Sequence, residues 1–424
     1  MKLLFRHSIR GVRLLVLLGL FCATVPAYAS PVDLFGFGMR GISMGGAISS
    51  SAIGHEAIYY NPAGLAWGKR PTFSLGYQYA SFALDIRDEQ QDVQEAPALS
   101  IGFSMPLPLG GIMKDKLALG LGFVLPQTSI FITRTPYPGT PHFPVLENRA
   151  QGVSILGGIG IQVTDWMSCG AGFIALAELN GSIETGPNQL GEVGAKVHDS
   201  LLADYSPVFG VVLHPSEEVQ LSMVYRDASR AAYALPVKAD LGSEFPIPIP
   251  LLDLRGVSQF DPGQINVELS IRPSSQLLLA ASASRVWWSD FTNPIVYTAV
   301  PDDYPPQPEP NFSDIWVWRL GAEWATQLSS TKLAVRSGYV YYPTPTPHQT
   351  GLHNYLDNTR QIWSAGLGLE YSVFQFNAGL QLHVLTDRKH TKNESEATTD
   401  NEGYPTIHHG GHILVVGAET VLEF

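Results

Sequence analysis

Cysteine is almost absent from this chain: its 424 residues hold two, Cys22 and Cys169, so no framework of disulfides can staple the fold. Charge is scarce too, at 15% Asp, Glu, Lys and Arg against the usual quarter. The net charge of −12 has the wrong sign for nucleic acid or an anionic headgroup surface as main partner. Long apolar runs are also missing. Beyond the first 29 residues no segment offers the roughly 18 consecutive apolar residues of a spanning helix, which excludes a helical membrane protein.

What is present begins with a three-part leader. Basic Lys2, Arg6, Arg10 and Arg13 precede an apolar core from Leu14 to Val25 and a small-residue cleavage site at Ala27-Tyr28-Ala29. Residues 1–29 are therefore expected to be a cleaved signal peptide, with Cys169 the sole thiol of the exported chain. An exported, aromatic-rich chain with little charge fits an all-β transmembrane antiparallel barrel, whose strands alternate lipid-facing apolar with lumen-facing small or polar residues. The competing reading is a soluble secreted β-sandwich or barrel.

The connections decide between them. β-rich runs are expected near 71–83, 96–108, 116–126, 149–163, 166–180, 204–214, 217–240, 261–272, 275–292, 312–327, 330–343, 358–371, 373–388 and 408–424, about 14 strands. The connections after odd-numbered strands are all long, and the even-numbered ones are short, several of them dipeptides such as Pro215-Ser216 and Pro273-Ser274. A barrel with long outer loops and short inner turns requires that alternation, whereas a sandwich has no reason to produce it. The run 217–240 is the weak point, because Pro236 invites a split. Along the final strand, Leu414, Val416, Ala418 and Leu422 share one face, and Phe424 is an aromatic terminus of the kind the outer-membrane barrel assembly machinery reads. Trp and Tyr, including Trp287, Trp288, Trp316, Trp318, Tyr341 and Trp363, cluster near strand ends as interfacial girdles.

Residues 30–70 form a glycine-rich stretch ahead of the first strand, expected to be a compact plug inside the 71–424 barrel. Two catalytic-looking matches in it are declined. Gly36-Phe37-Gly38-Met39-Arg40-Gly41 fits a dinucleotide fingerprint but has no room for a preceding strand. Gly41-Ile42-Ser43-Met44-Gly45 fits a nucleophile elbow but has no strand-to-helix turn around it.

Met39-Arg40-Gly41, Met44-Gly45-Gly46-Ala47, Tyr60-Asn61-Pro62-Ala63, Val224-Tyr225-Arg226 and Trp288-Ser289-Asp290-Phe291 carry a resemblance to the FadL/TodX family of outer-membrane transporters for long-chain fatty acids and other hydrophobic compounds. The resemblance spans nearly the whole mature chain. It implies a 14-stranded barrel with an N-terminal hatch and passive uptake: capture in an apolar groove of the outer loops, a pocket against the hatch, and lateral exit into the bilayer. It implies neither catalysis nor a cofactor. Rival readings are a secretion or surface-attachment component on the same barrel, or an outer-membrane lipid hydrolase.

Asn61, Pro62 and Ala63 are expected to latch hatch to wall, since Pro62 holds Asn61 extended while its amide satisfies backbone groups of an adjacent strand. For ligand contacts, loop 241–260 offers Phe245, Ile247, Ile249, Leu251 and Leu252, pre-ordered by Pro246, Pro248 and Pro250. Loop 127–148 offers Ile130, Phe131 and Ile132, with Arg134 placed for a carboxylate. His390, His408, His409 and His412 lack a partner at a metal-binding spacing and read as a solvated loop base, so no metal is expected. The expected partners are a hydrophobic small-molecule ligand, outer-membrane lipids and, during biogenesis, the assembly machinery, with the protein a monomer.

Overall fold

The computed structural model describes residues 32–127, 139–147, 153–187, 193–239, 252–294, 309–394 and 402–424. The expected signal peptide lies outside them. The first half of the chain forms β1 (Thr72–Ile86), β2 (Glu89–Gln90), β3 (Ala96–Pro106), β4 (Leu117–Pro126), β5 (Ser154–Thr164), β6 (Met167–Pro187), β7 (Val193–Leu213) and β8 (Val219–Arg226). Then come β9 (Ser229–Ala239), β10 (Leu252–Asp261), β11 (Gln264–Ser274), β12 (Leu277–Val286) and β13 (Ile315–Leu328). The last four are β14 (Thr331–Tyr342), β15 (Arg360–Tyr371), β16 (Phe374–Thr391) and β17 (Thr406–Glu423).

Neighbouring wall strands pair antiparallel, β8 pairs onward with β11, and β1 pairs with β17 from Thr72↔Glu423 to Ile86↔His409. With β2 an appendage of β1 and the β9–β10 hairpin set outside the ring, the result is a closed barrel of 14 strands. Closure is what a bilayer demands, because an open edge leaves backbone N–H and C=O groups unpaired in hydrocarbon. Short turns such as 165–166, 275–276, 329–330 and 372–373 lie at the end where Phe424 N donates to Pro71 O, and the long connections lie at the other.

Three expectations about the strands need correction. The connection expected at 181–203 is mostly ladder, since β6 and β7 stay paired from Met167↔Leu213 to Pro187↔Val193. At about 3.4 Å per residue such a strand is roughly 70 Å long and passes well beyond a hydrocarbon core of about 30 Å, and pairing keeps its backbone groups satisfied there. The run 217–240 does break, but at Asp227-Ala228 and not at Pro236. Asp227 N donates to Pro207 O, Asp227 Oδ1 accepts from Ala228 N, and Ser206 Oγ donates to Ala228 O. Beyond that break β9 pairs parallel with β6 and antiparallel with β10. Pro236 falls in a gap of the β6 pairing, between Ala234 and Val237, where its missing N–H costs no ladder bond to β6. Residues 252–260, expected in a loop, belong to β10 (Leu252–Asp261); the alternation Leu252-Asp253-Leu254-Arg255 is its period-two signature.

Wall strands alternate as the bilayer requires. On β17, Leu414, Val416 and Ala418 face outward while Ile413, Val415 and Glu419 are buried. On β1 the inward residues grade from Ser74, Gly76 and Gln78 near the inner end to Ala80, Phe82, Leu84 and Ile86 near the outer end. On this strand the lumen face is therefore polar below and apolar above. Trp316, Trp318, Trp363 and Tyr341 are exposed on the wall, as a girdle requires, but Trp288 is fully buried, its Nε1 donating to Tyr342 Oη at 3.0 Å beneath the outer loops.

The hatch contains only short pieces: helices Val32–Phe35, Met39–Ser43 and Ala57–Tyr60, and 3₁₀ turns Gly54–Glu56 and Pro62–Trp67. Gly45 and Gly46 explain the brevity. Both take positive φ, 62° and 76°, and fold the Met44–Gly46 turn flat against β13 and β14, where side chains at Gly321 and Gly338 would strike its backbone.

Candidate functional site

The hatch is tied to the wall at several places, among them hydrogen bonds from Ser50 to Glu268 and Ser270 of β11 and from Trp67 to Ser168 of β6, and three ties are the most elaborate. At the first, Asn61 is wholly buried with extended backbone, φ −167° and ψ 105°, ahead of the Pro62–Trp67 turn. Its Oδ1 accepts from Ala63 N at 3.1 Å, and its Nδ2 donates to Ser49 O at 3.0 Å and to Val211 O of β7 at 3.2 Å. Around it the wall is stripped of side chains: a Cβ on Gly160 would lie 2.6 Å from Pro62 O, one on Gly170 would strike Ala63 N, and one on Gly210 would strike Asn61 Oδ1.

The second tie is electrostatic. Glu419 of β17 accepts from Met39 N at 3.1 Å and lies 2.8 Å from His55 Nε2, while Glu56 accepts from Gly41 N at 2.9 Å. Arg40 meets Glu323 of β13 at 2.9 Å, and Arg336 of β14 meets the same carboxylate at 2.6 Å. Burial works to depress the His55 pKa, but the neighbouring Glu419 carboxylate and Glu56 outweigh it, and the value rises above the ordinary 6.5. Burial likewise holds the Glu56 carboxyl above its ordinary range. His55, Glu56 and Glu419 bring donor atoms within 4.8 Å of one another, yet their carboxylate oxygens already accept hatch N–H groups. That makes the cluster an anchor for the Met39–Ser43 helix. At the third tie, Arg226 of β8 stacks over the Tyr59 ring at 4.1 Å and donates to Tyr59 Oη, Tyr59 O and Asp33 Oδ1 at 3.0, 2.9 and 3.1 Å.

Above the hatch the lumen is roofed. Residues 139–147 enter the barrel mouth beside the strap 343–359, with His142 N donating to Asn354 O and Leu356 N to His142 O. Phe143 and Leu146 are completely buried and join Leu34 and Phe35 of the hatch and Phe82, Leu84 and Ile413 of the wall in one apolar cluster. Between hatch and wall lies a cavity of about 100 Å³, bordered by Val32, Phe35 and Tyr59 of the hatch and Arg226, Arg319 and Arg360 of the wall among others. Below the hatch opens a vestibule of about 380 Å³ lined by charge, including Arg40, Lys69, Arg272, Glu323, Lys332 and Glu370.

Of the residues expected from sequence, Asn61, Pro62 and Ala63 lie together at the glycine wall. Ile130, Phe131, Ile132, Arg134, Phe245, Ile247, Ile249 and Leu251 lie outside the described residues. Leu252 opens β10, paired with Val237, and so does not sit in an extended proline-led loop. The histidine reading is corrected in part. His408 is exposed near Asp88, but His390 and His409 are buried, Nε2 to Nε2 at 2.9 Å, because strap residues Gln349 and Asn358 cover them. Sequence reasoning missed Glu268, Glu323, Arg336 and Glu419. Their signal was a charge in the middle of a spanning strand, which is expensive unless it faces a partnered interior.

Residues 21–424 match the family described as outer membrane protein transport protein (OMPP1/FadL/TodX). The fold is similar to that of a Pseudomonas aeruginosa FadL homologue, at 14% identity over 94% of this chain and 100% of that one, with a TM-score of 0.59. It is also similar to the P. putida toluene transporter TodX (14% identity, 92% and 99% covered, TM-score 0.53) and the Ralstonia pickettii toluene transporter TbuX (16%, 92% and 99%, TM-score 0.50). No curated protein sequence matches the chain.

Proposed function

The chain belongs to the OMPP1/FadL/TodX family of outer membrane transport proteins, and from that membership we propose passive uptake of hydrophobic small molecules, long-chain fatty acids or aromatic hydrocarbons among them. One observation carries the reading: an outer chamber bordered by an apolar cluster of hatch, wall and roof side chains is separated from a charged inner vestibule by a hatch that crosses the lumen. A hydrophobic molecule gains about 25 cal/mol per Å² on entering the chamber, and no energy source is needed. The vestibule reverses that gain, so the continuation of lowest energy is sideways, through the wall into the bilayer. Asn61, Pro62 and Ala63 act as the latch that holds the hatch across the lumen. The outer connections 127–148 and 240–251 supply first capture, with Arg134 receiving a carboxylate. The protein works as a monomer, inserted by the barrel assembly machinery, and the reading assigns no catalytic step.

The test is uptake of labelled oleate and toluene by proteoliposomes and by cells with and without the protein. Accumulation that depends on the protein supports the proposal. Equal accumulation with and without it, for both compounds, overturns it.

A further inference from the structure

At the inner rim of the barrel the connections β5–β6, β11–β12, β13–β14 and β15–β16 are dipeptides, but β3 and β4 are joined by the longer stretch 107–116. The extra length is apolar at its tip. Leu109, Ile112 and Met113 are exposed, Ile112 at 88%, and a Cβ on Gly110 or Gly111 would meet nothing within 4 Å. The turn is nonetheless a defined element, since Lys114 N donates to Gly111 O and Lys116 N to Met113 O. Contiguous apolar side chains left in water mark a surface that something else covers.

Two relations identify the cover. The outward rows of β3 (Ile101, Phe103, Met105) and β4 (Leu121, Leu119, Leu117) lead into the turn without a polar break, and Leu107 N donates to Leu117 O to prolong the ladder. The turn is therefore continuous with the lipid-facing band. Depth gives the second relation: Leu117 pairs with Ile161, Ile112 lies five residues past that rung, and Trp166 of the neighbouring β5–β6 turn lies five past it on the other strand. Trp166 is 52% exposed, and an exposed Trp at a strand end marks the bilayer interface. Ile112 stands at the same level. Lys114 and Lys116 follow it, and lysine stems lie along apolar surface while their ammonium groups reach the headgroups. Exposed Asp115 and Asp165 offset those two charges, so the contact is apolar rather than electrostatic.

We propose that residues 107–116 are an interfacial anchor: Leu109, Ile112 and Met113 enter the inner leaflet at the border of its acyl region, with Lys114 and Lys116 at the level of the lipid phosphates. The anchor fixes the depth of β3 and β4. Beside them stand β5, β6 and β7, which carry Gly160, Gly170 and Gly210 against the Asn61-Pro62-Ala63 element.

The experiment uses the full-length mature protein with Cys169→Ala in phosphatidylcholine nanodiscs, carrying one environment-sensitive fluorophore at Ile112→Cys, Met113→Cys, Leu119→Cys or Ser330→Cys. Leu119 faces lipid on the wall and Ser330 sits on an exposed dipeptide turn at the same rim, so the two supply the apolar and aqueous references. Labels at Ile112 and Met113 are expected to be quenched by brominated acyl chains at least three-fold more than the label at Ser330, and by aqueous iodide at least three-fold less. Adding Ile112→Asp to the Met113-labelled protein is expected to return iodide quenching to the Ser330 level. Should the Ile112 variants fail to insert, judged by heat-shifted migration on a gel, the Met113 label decides. Iodide quenching at Ile112 and Met113 as strong as at Ser330 overturns the anchor and leaves the turn in solution, open to a soluble partner. Loss of brominated-chain quenching at Leu119 overturns the spanning wall itself.

Discussion

Asn61 Nδ2 donates to the carbonyl of Val211 in the barrel wall at 3.2 Å, and it reaches that carbonyl because residue 210 beside it is glycine. A side chain at 210 and the Asn61 amide cannot occupy the same space. At this point hatch and wall are matched by a hydrogen bond and the side chain that residue 210 lacks.

The first prediction concerns that match. Asn61→Ala removes bonds to Val211 O, Ser49 O and Ala63 N and leaves buried partners unpaired, a cost of roughly 1–3 kcal/mol to hatch seating. Barrel insertion is predicted to be intact and oleate uptake slowed, as read by gel migration and labelled-oleate accumulation. Gly210→Val is predicted to act the same way and more strongly. Unchanged uptake in Asn61→Ala would falsify the latch.

A second prediction addresses Arg226. Lysine keeps the charge but cannot stack on Tyr59 and bond Tyr59 Oη, Tyr59 O and Asp33 together. Arg226→Lys is predicted to raise deuterium exchange across residues 32–60, with a loss of about 1–3 kcal/mol from buried acceptors left unpaired. If exchange stays confined to the strand ends, Arg226 does not hold the hatch.

The third prediction is a pH dependence. The raised His55 pKa means the folded hatch binds a proton that the unfolded hatch releases near 6.5. That contribution is complete below 6.5 and is lost as pH rises through the higher folded value; Glu56, raised by burial, acts in the same direction. Exchange at residues 39–60, corrected for its intrinsic pH dependence, is predicted to increase above pH 6.5, with a smaller increase in His55→Gln. A flat profile in wild type contradicts the anchor.

The roof supplies a fourth. Phe143→Ala removes a fully buried ring, a change that costs roughly 3–5 kcal/mol in a core. If residues 139–147 close the chamber, the variant is predicted to take up labelled oleate faster than wild type at equal surface expression. An unchanged rate places the roof off the route.

Much of this architecture was legible along the chain because membrane strands and their turns are local features. Counting back in twos from Phe424 through Leu422, Ala418, Val416 and Leu414 assigns a shared face, and dipeptide turns alternating with long connections assign the strand count, since each depends on residues a few positions apart. Asp227-Ala228 was not legible, because the break is made by Ser206 and Pro207, twenty residues away on β7. The alternation at Leu252–Arg255 was there to be read, but the proline run before it suggested a loop.

The sequence by itself determined that this is a hatch-bearing outer-membrane barrel and that Tyr60-Asn61-Pro62-Ala63 is a singular element of the hatch. Only the tertiary structure decided what each buried charge is for. Met39 and Glu419 lie 380 residues apart, and Arg40 and Glu323 lie 283 apart. Their meeting depends on the barrel closing around the hatch, so no pattern along the chain records which cation finds which acid.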